Sequence, residues 1–334
     1  MAKITILGGG NWGTTLAILL NSNGHQVSLW EFRPEAAERL IREHENKEFL
    51  PGIPIPSEIN ISSDLPSLIR ETEILLFVVP SHTLREVARQ VARNPLPNTL
   101  IVSAVKGIEQ KTLLRMSQII KEERPDSKDR IVVLSGPNIA YEISREMPAT
   151  TVVSSQNEES AKRIQSVFMN KRFRVYTNSD IIGVELGGAL KNIIVIAAGI
   201  CDGLGYGANT KGALLTRGLA EITRLGIAIG ANPLTFAGLS GMGDLITTCF
   251  SPHSRNRYVG EQLGKGKKLD EILSSMVMVA EGINTTKAAY ELAKKYSVEM
   301  PITEQVHQVL FENKEPKDAV SDLMLREPKA EIVL

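Results

Sequence analysis

A glycine cluster within the first thirteen residues limits this chain more than any other feature. Gly8-Gly9-Gly10-Asn11-Trp12-Gly13 fits the pattern G-x-G-x-x-G and follows directly on the apolar run Ile4-Thr5-Ile6-Leu7. A strand that turns on glycine into a helix is the frame in which this pattern holds a dinucleotide. Gly8 permits the tight turn, Gly10 lets the backbone approach a pyrophosphate, and Gly13 lets the helix pack closely on the strand. The amides that open the helix then face the phosphates, and the helix dipole favours their charge. A glycine-rich loop alone could merely turn the chain. The strand before it and the amphipathic helix expected over residues 11–22 point to a cofactor site.

The first half of the chain continues in the same alternation. Apolar runs at 4–7, 27–30, 74–79, 100–104, 131–134 and 151–153 are mostly continuous and rich in Ile and Val, as expected for strands buried on both faces. Helical stretches between several of them, such as 11–22 and 83–93, imply crossover connections and a parallel, doubly wound sheet. Beyond 173–176 the strand pattern stops, and helices follow one another with Gly- or Pro-containing breaks at 201–207, 230–233, 238–243 and 300–301. The fold class expected is therefore α/β: a Rossmann-like doubly wound domain over residues 1–180, then an all-α domain over 181–334. The closing residues, 326–334, are expected to form an ordered edge that frays at its end.

Charge and composition exclude several classes. Lys plus Arg is 38 and Asp plus Glu is 38, so the basic excess of a nucleic-acid binder is missing. Lys265-Gly266-Lys267-Lys268 reads as a solvated turn, and no Ser or Thr follows the Lys as in a phosphate loop. Two cysteines, Cys201 and Cys249, cannot build a disulfide framework and fit a reducing compartment. The five histidines are scattered without metal-ligand spacing, so no metal is expected. The chain starts straight into a strand without a cleavable signal, and its longest apolar or Gly run, 193–200, is too short to span a bilayer. A soluble, cytoplasmic protein without membrane insertion is expected.

At the end of the second strand, Glu31-Phe32-Arg33 carries conflicting signals. Glu31 stands where an acid accepts hydrogen bonds from a ribose 2′-hydroxyl. Arg33 suits a 2′-phosphate, or is an exposed charge opening the helix after Pro34, and Phe32 can stack on adenine. NAD and NADP both stay open. Val79-Pro80-Ser81-His82 ends another strand, where ligands of such sheets sit, so Ser81 is a candidate for the nicotinamide side. His82 reads as a structural or capping residue before an acid–base one.

Six further segments take the reading to one family: Ala104-Val105-Lys106-Gly107-Ile108-Glu109, Leu134-Ser135-Gly136-Pro137-Asn138-Ile139-Ala140, Glu185-Leu186-Gly187-Gly188-Ala189-Leu190-Lys191-Asn192, Leu239-Ser240-Gly241-Met242-Gly243-Asp244-Leu245, Ser254-Arg255-Asn256-Arg257 and Val279-Ala280-Glu281-Gly282. Together with Phe49-Leu50-Pro51-Gly52, their order and spacing resemble the bacterial NAD(P)-dependent sn-glycerol-3-phosphate dehydrogenases over essentially the whole chain. The resemblance implies reversible hydride transfer between dihydroxyacetone phosphate with NAD(P)H and sn-glycerol 3-phosphate with NAD(P)+, supplying glycerol phosphate for phospholipid synthesis. It implies Lys191 as the proton donor or acceptor at the substrate oxygen. Substrate contacts implied are Lys106, Gly136, Asn138, Asp244, Ser254, Arg255 and Asn256. Cofactor contacts implied, besides the glycines, are Asn11, Trp12, Phe32, Arg33, Lys106, Ala140, Val279 and Glu281, with Arg255 touching both ligands. A homodimer is a reasonable expectation.

The chemistry of the residues points the same way. Carbonyl reduction needs a proton donor at oxygen, and the reverse reaction needs a base there; a Lys serves both if its pKa falls toward neutrality. Lys191 precedes Ile193, Ile194, Val195 and Ile196, in a stretch with no other charge before Asp202, so its helix reads as buried nearly all round. Desolvation then disfavours the ammonium, and Asp244 is expected to orient it and oppose that shift. Gly187 and Gly188, one turn earlier, are expected to leave room for a ligand beside the amine. Arg255 offers planar donors for a phosphate dianion and Asn256 neutral ones. Glu281 follows the apolar run Met276-Val277-Met278-Val279, expected to pack across the domain interface; a helix cap is the other reading of Glu281. Thr248 and Cys249 are expected near the cleft, Cys249 as an alkylation target or a buried thiol. Two other functions remain open: a related hydroxyacid-type dehydrogenase, and a dinucleotide sensor without turnover.

Overall fold

The structure, a computed structural model, describes residues 1–276, 279–328, 330 and 331. The chain opens with β1 (Lys3–Leu7), α1 (Asn11–Ser22), β2 (Gln26–Trp30) and α2 (Pro34–Glu43). A small hairpin, β3 (Glu45–Asn46) and β4 (Leu50–Pro54), precedes β5 (Asn60–Ser62) and α3 (Leu65–Ile69). Then come β6 (Ile74–Phe77), α4 (Leu84–Ala92), β7 (Leu100–Ser103), α5 (Met116–Glu123), β8 (Ile131–Ser135), α6 (Ala140–Ile143), β9 (Ala149–Ser154), α7 (Glu158–Phe168) and β10 (Phe173–Asn178). From Ile181 the described elements are helices joined by turns: α8 (Ile181–Gly203), α9 (Ala208–Ile229), α10 (Pro233–Phe236), α11 (Asp244–Phe250), α12 (Arg255–Gly264), α13 (Leu269–Ser274), α14 (Glu281–Lys295), α15 (Pro301–Phe311) and α16 (Pro316–Met324).

Eight strands form one sheet in the order β10-β9-β8-β7-β6-β1-β2-β5. Neighbours from β5 to β8 pair in parallel, and the side chains of the inner strands are mostly buried on both faces because helices cover both. The expectation of a wholly parallel sheet needs correction at its end: β9 runs antiparallel to β8. The connection between them holds only the four-residue α6. One turn of helix cannot carry the chain back along β8, so β9 starts where β8 ends and returns beside it. The 11-residue α7 then makes a full crossover, and β10 lies parallel to β9. Sequence periodicity also passed over β5, a three-residue edge strand too short to show a pattern.

Helix α8 has 23 residues, long and apolar enough by composition to cross a membrane, yet 89% of that apolar window is buried inside the protein. Leu190, Ile193, Ile194, Val195 and Ile196 are fully enclosed, a burial on the order of 10 kcal/mol before conformational entropy is charged. Helices α9, α11, α12, α14 and α15 surround it. The closest neighbour is α12, and glycine is the reason. A Cβ at Gly260 would sit 2.0 Å from the Ile196 carbonyl oxygen, and one at Gly199 would sit 2.1 Å from the Arg257 carbonyl oxygen. Gly203 and Gly264 face the opposing backbones in the same way one turn further on. Two glycine pairs spaced i, i+4 therefore bring two backbones together and fix how Lys191 on α8 stands to Arg255 and Asn256 on α12.

Gly260→Ala should lower stability by about 2–3 kcal/mol, because the added methyl meets backbone that has no side chain to move aside. Gly212→Ala should be neutral or stabilising by up to about 1 kcal/mol, since a Cβ there meets nothing within 4 Å on α9. Chemical denaturation of the two variants checks the pair.

Candidate active site

The glycine loop joins β1 to α1. Gly8 has φ +124°, and a Cβ on it would strike the Val78 carbonyl oxygen at 2.6 Å. A Cβ on Gly13 would sit 1.9 Å from the Gly8 carbonyl oxygen, so α1 can lie this close to the turn only with glycine there. Around Gly10 a Cβ would meet nothing within 4 Å. That open ground before a helix N-terminus fits the pyrophosphate of a dinucleotide.

The loop opens into a cleft of about 1410 Å³ lined from both halves of the chain. Gly8, Gly10, Asn11, Trp12, Phe32, Arg33, Lys106, Asn138 and Ala140 line it from the sheet side. Lys191, Asp244, Ser254, Arg255, Asn256, Val279 and Glu281 line it from the helical side. Gly13 and Gly136 are not in its wall: Gly13 is packed beneath the loop, and Gly136 takes φ +147° behind Lys106, whose Nζ donates to its carbonyl at 3.2 Å. Within the wall, the Asn138 amide is engaged with Thr150 and Thr151 of β9.

Three charged groups meet at the cleft floor. Lys191 Nζ lies 3.0 Å from Asp244 Oδ1 and donates to Thr248 Oγ1 at 2.6 Å. Lys106 Nζ donates to Asp244 Oδ2. Lys191 and Asp244 are only 4% and 2% exposed, so desolvation decides their behaviour. Burial pushes the Lys191 amine down from 10.5 to about 8; Asp244 opposes the fall and Lys106 adds to it. Burial would raise the Asp244 carboxyl, but Lys106 and then Lys191 outweigh it and hold it below the usual carboxylate range. An ammonium has three N–H donors, and Asp244 and Thr248 engage two of those on Lys191.

Asn256 joins three helices. Its Nδ2 donates to Asn192 Oδ1 on α8 at 2.9 Å, and its Oδ1 accepts from the Gly282 amide of α14 at 2.9 Å. Ser254 caps α12 by accepting from the Arg257 amide. Arg255 Nη1 donates to the Val279 carbonyl at 2.9 Å. Glu281 does not cap its own helix. It accepts from the Ser81 amide at 3.0 Å and from the Ser81 hydroxyl, tying α14 to the end of β6. Ser81 is thereby buried behind the cleft wall, whereas His82 is exposed in the wall and makes no capping bond.

Two expectations need correction. Gly187 and Gly188 do not open space for a ligand: a Cβ on Gly188 would sit 2.4 Å from Ser135 Oγ, and one on Gly187 would sit 3.0 Å from the Ser240 carbonyl oxygen. Their bareness lets α8 seat against β8 and the 239–243 turn. Cys249, expected to line the cleft, does not; of its two readings the buried thiol holds, because it is fully buried and its thiol is pushed up to about 12. Val277 and Met278, expected at the domain interface, lie outside the described residues. Thr248 was expected near the cleft but not as a partner of Lys191; its position one helical turn after Asp244 was the available signal. Asn192, which closes the Lys191 motif, and Glu48, which no pattern singled out, also line the cleft.

Similarity to known proteins agrees with this geometry. Residues 3–161 match the model for the NAD-dependent glycerol-3-phosphate dehydrogenase N-terminus, and residues 180–321 that for its C-terminus. The chain belongs to the glycerol-3-phosphate dehydrogenase family. It is 53% identical over 327 residues to the glycerol-3-phosphate dehydrogenase [NAD(P)+] of Bacillus pumilus, covering 98% of this chain and 95% of that one. Against the enzyme of the same name from Geobacillus thermodenitrificans it is 53% identical over 333 residues, covering 99% and 97%. The crystal structure of glycerol-3-phosphate dehydrogenase from Coxiella burnetii superposes with TM-score 0.93 at 36% identity, covering 97% and 99%. A D-mandelate dehydrogenase shares the fold alone, at TM-score 0.65 and 12% identity.

The buried lysine has a thermodynamic consequence. Its folded pKa lies below its unfolded one, so below about pH 8 both states hold the proton and the folded state carries the full burial penalty. Between about 8 and 10.5 the folded state gives up the proton first and that penalty fades. Lys191→Met should therefore be more stable than wild type at pH 7, by on the order of 2 kcal/mol, with the advantage shrinking by pH 9.5. Urea midpoints at both pH values check this; equal differences would overturn it.

Proposed function

We propose that this protein catalyses reversible hydride transfer between dihydroxyacetone phosphate with NADH or NADPH and sn-glycerol 3-phosphate with the oxidised cofactor. The observation that carries this reading is the buried Lys191, with a depressed pKa and one N–H not engaged by Asp244 or Thr248, in the same cleft as the glycine loop. When bound, the dinucleotide supplies the hydride for reduction and takes it up in oxidation. Residues 1–180 hold it, chiefly through Gly8, Gly10, Asn11, Trp12, Phe32, Arg33 and Ala140, and residues 181–334, together with Lys106, supply the catalytic and substrate groups.

Lys191 carries the proton. As an ammonium it donates to the oxygen of the carbonyl as charge develops there; as an amine it takes that proton back from the hydroxyl. Asp244 and Thr248 hold Nζ in place. Arg255, the α12 amides capped by Ser254, and Lys106 make a cationic wall suited to a phosphate dianion. Such a wall supports a phosphorylated substrate over a plain short-chain alcohol. The reaction would supply glycerol phosphate for phospholipid synthesis in the cytoplasm. A homodimer belongs to the same reading; Leu234, Ile246 and Phe250, exposed on the helical half, are apolar surface that a second copy could cover.

The test follows reduced-nicotinamide absorbance with dihydroxyacetone phosphate. Lys191→Ala should lose at least roughly a hundredfold in kcat with little change in cofactor binding. In wild type, kcat/KM for ketone reduction should fall as pH rises through about 8, and that for alcohol oxidation should rise, because the two directions need opposite states of Lys191. A wild-type protein that binds NADH yet oxidises none with this ketone would refute the substrate.

A further inference from the structure

Beside the glycine loop, the far corner of the cleft holds charges that the reaction does not use. Arg33 Nε donates to Glu31 Oε1 at 2.9 Å, and Arg33 Nη1 lies 3.7 Å from Glu48 Oε1. The other oxygen of Glu48, Oε2, accepts from Arg39 Nη2 at 2.5 Å. Glu48 comes from the β3–β4 hairpin, Arg33 and Arg39 from the start and middle of α2, and Glu31 from the end of β2. The Arg33 guanidinium stands 5.7 Å from the centre of the Phe32 ring and 5.8 Å from that of Phe49. Glu31, Phe32, Arg33, Glu48 and Phe49 all line the cleft.

We propose that Glu48 is a specificity-determining residue for the cofactor, holding Arg33 and Arg39 back from a 2′-phosphate and so tilting the site toward the unphosphorylated ribose of NADH. This rests on reading the cleft as a nicotinamide dinucleotide site. An arginine suits a 2′-phosphate when its donors are free, and here Glu31 holds one edge of Arg33 while Glu48 faces the other. The two carboxylates cancel the two arginines, so an incoming phosphate dianion meets no net positive charge. A ribose hydroxyl asks only for an acceptor, and Glu31 beside the glycine loop offers one. Glu31 is 4% exposed with its carboxylate packed against Gly9, where a Cβ would meet Oε2 at 2.5 Å. It belongs to the frame of the loop. Glu48 is partly exposed on a hairpin and can be changed without disturbing that frame.

The experiment measures Kd for NADH and NADPH by quenching of Trp12 and Trp30, the two tryptophans of the chain, both in the cleft wall. Steady-state kcat and KM for each cofactor follow. Glu48→Gln should raise the affinity for NADPH relative to NADH about tenfold, the effect of one partly screened charge near a phosphate. The gain should shrink in high salt. Arg39→Gln leaves Glu48 to Arg33 alone and should weaken NADPH selectively, a shift of opposite sign that a merely structural role for the hairpin would not produce. Glu43→Gln removes a charge paired with Arg42 and Lys47 outside the cleft wall and should leave the ratio unchanged. An unaltered NADPH-to-NADH ratio in Glu48→Gln, or an equal shift in Glu43→Gln, overturns the proposal. If wild type binds both nucleotides but turns over no dihydroxyacetone phosphate, the activity reading falls and the Kd ratio still decides Glu48. If it binds neither, both fall.

Discussion

Everything on the helical side of this protein answers to the burial of α8. A 23-residue helix enclosed on nearly every face offers no polar stripe, so its neighbours must cover it from all sides. Side chains of ordinary size would hold those neighbours at ordinary distance. Glycines at 199, 203, 260 and 264 remove that spacing along one seam, and Gly187 and Gly188 remove it along another. The first seam seats α12, which carries Ser254, Arg255 and Asn256. The second seats α8 on β8 and on the turn before Asp244. Packing of backbone on backbone thus sets the separation of the groups that face the cleft.

The same burial is what suits Lys191 to the proton transfer we propose for it. A lysine on the surface stays protonated near neutrality and is a poor base. Enclosed beside Asp244 and Lys106, it sits close to the balance point between its two protonation states. Asp244 compensates two cations at once, which keeps the cluster tolerable inside the protein while leaving it one positive charge in excess. That excess suits an anionic substrate, and its cost in folding is offset by the apolar contacts of the rest of α8. Stability and chemistry draw on one helix.

Much of the fold was legible because strands buried on both faces write continuous Ile/Val runs into a chain. Residues 74–77, 100–102 and 131–134 carry that mark as continuous apolar runs, while Thr5 and Ser28 interrupt it in 4–7 and 27–30. The reversal at β9 was hidden, since strand direction depends on whether the connection is long enough to return, and composition does not encode that. The three residues of β5 were too few for any period. In the cleft, Lys191 was legible from its uncharged surroundings and Asp244 from its motif. Thr248 was visible only as a neighbour one turn from Asp244, and its hold on Lys191 needs two helices brought together. The role first read into Gly187 and Gly188 failed for an instructive reason. A glycine marks a close approach, but the sequence does not say whether a ligand or the protein's own backbone makes it.

By itself, then, the sequence determined the glycine turn, the switch from strands to helices near residue 180, and the order of the motifs, because these are local patterns of polarity and backbone freedom. Tertiary structure alone decided which charges share a cavity. Glu31, Arg33 and Glu48, with Arg39 held behind Glu48, come from separate parts of the chain, as do Lys106, Lys191 and Asp244. A charge in isolation has an ordinary pKa and no preference among cofactors. Burial and the charges within a few ångströms change both, and those distances exist only once the chain has folded.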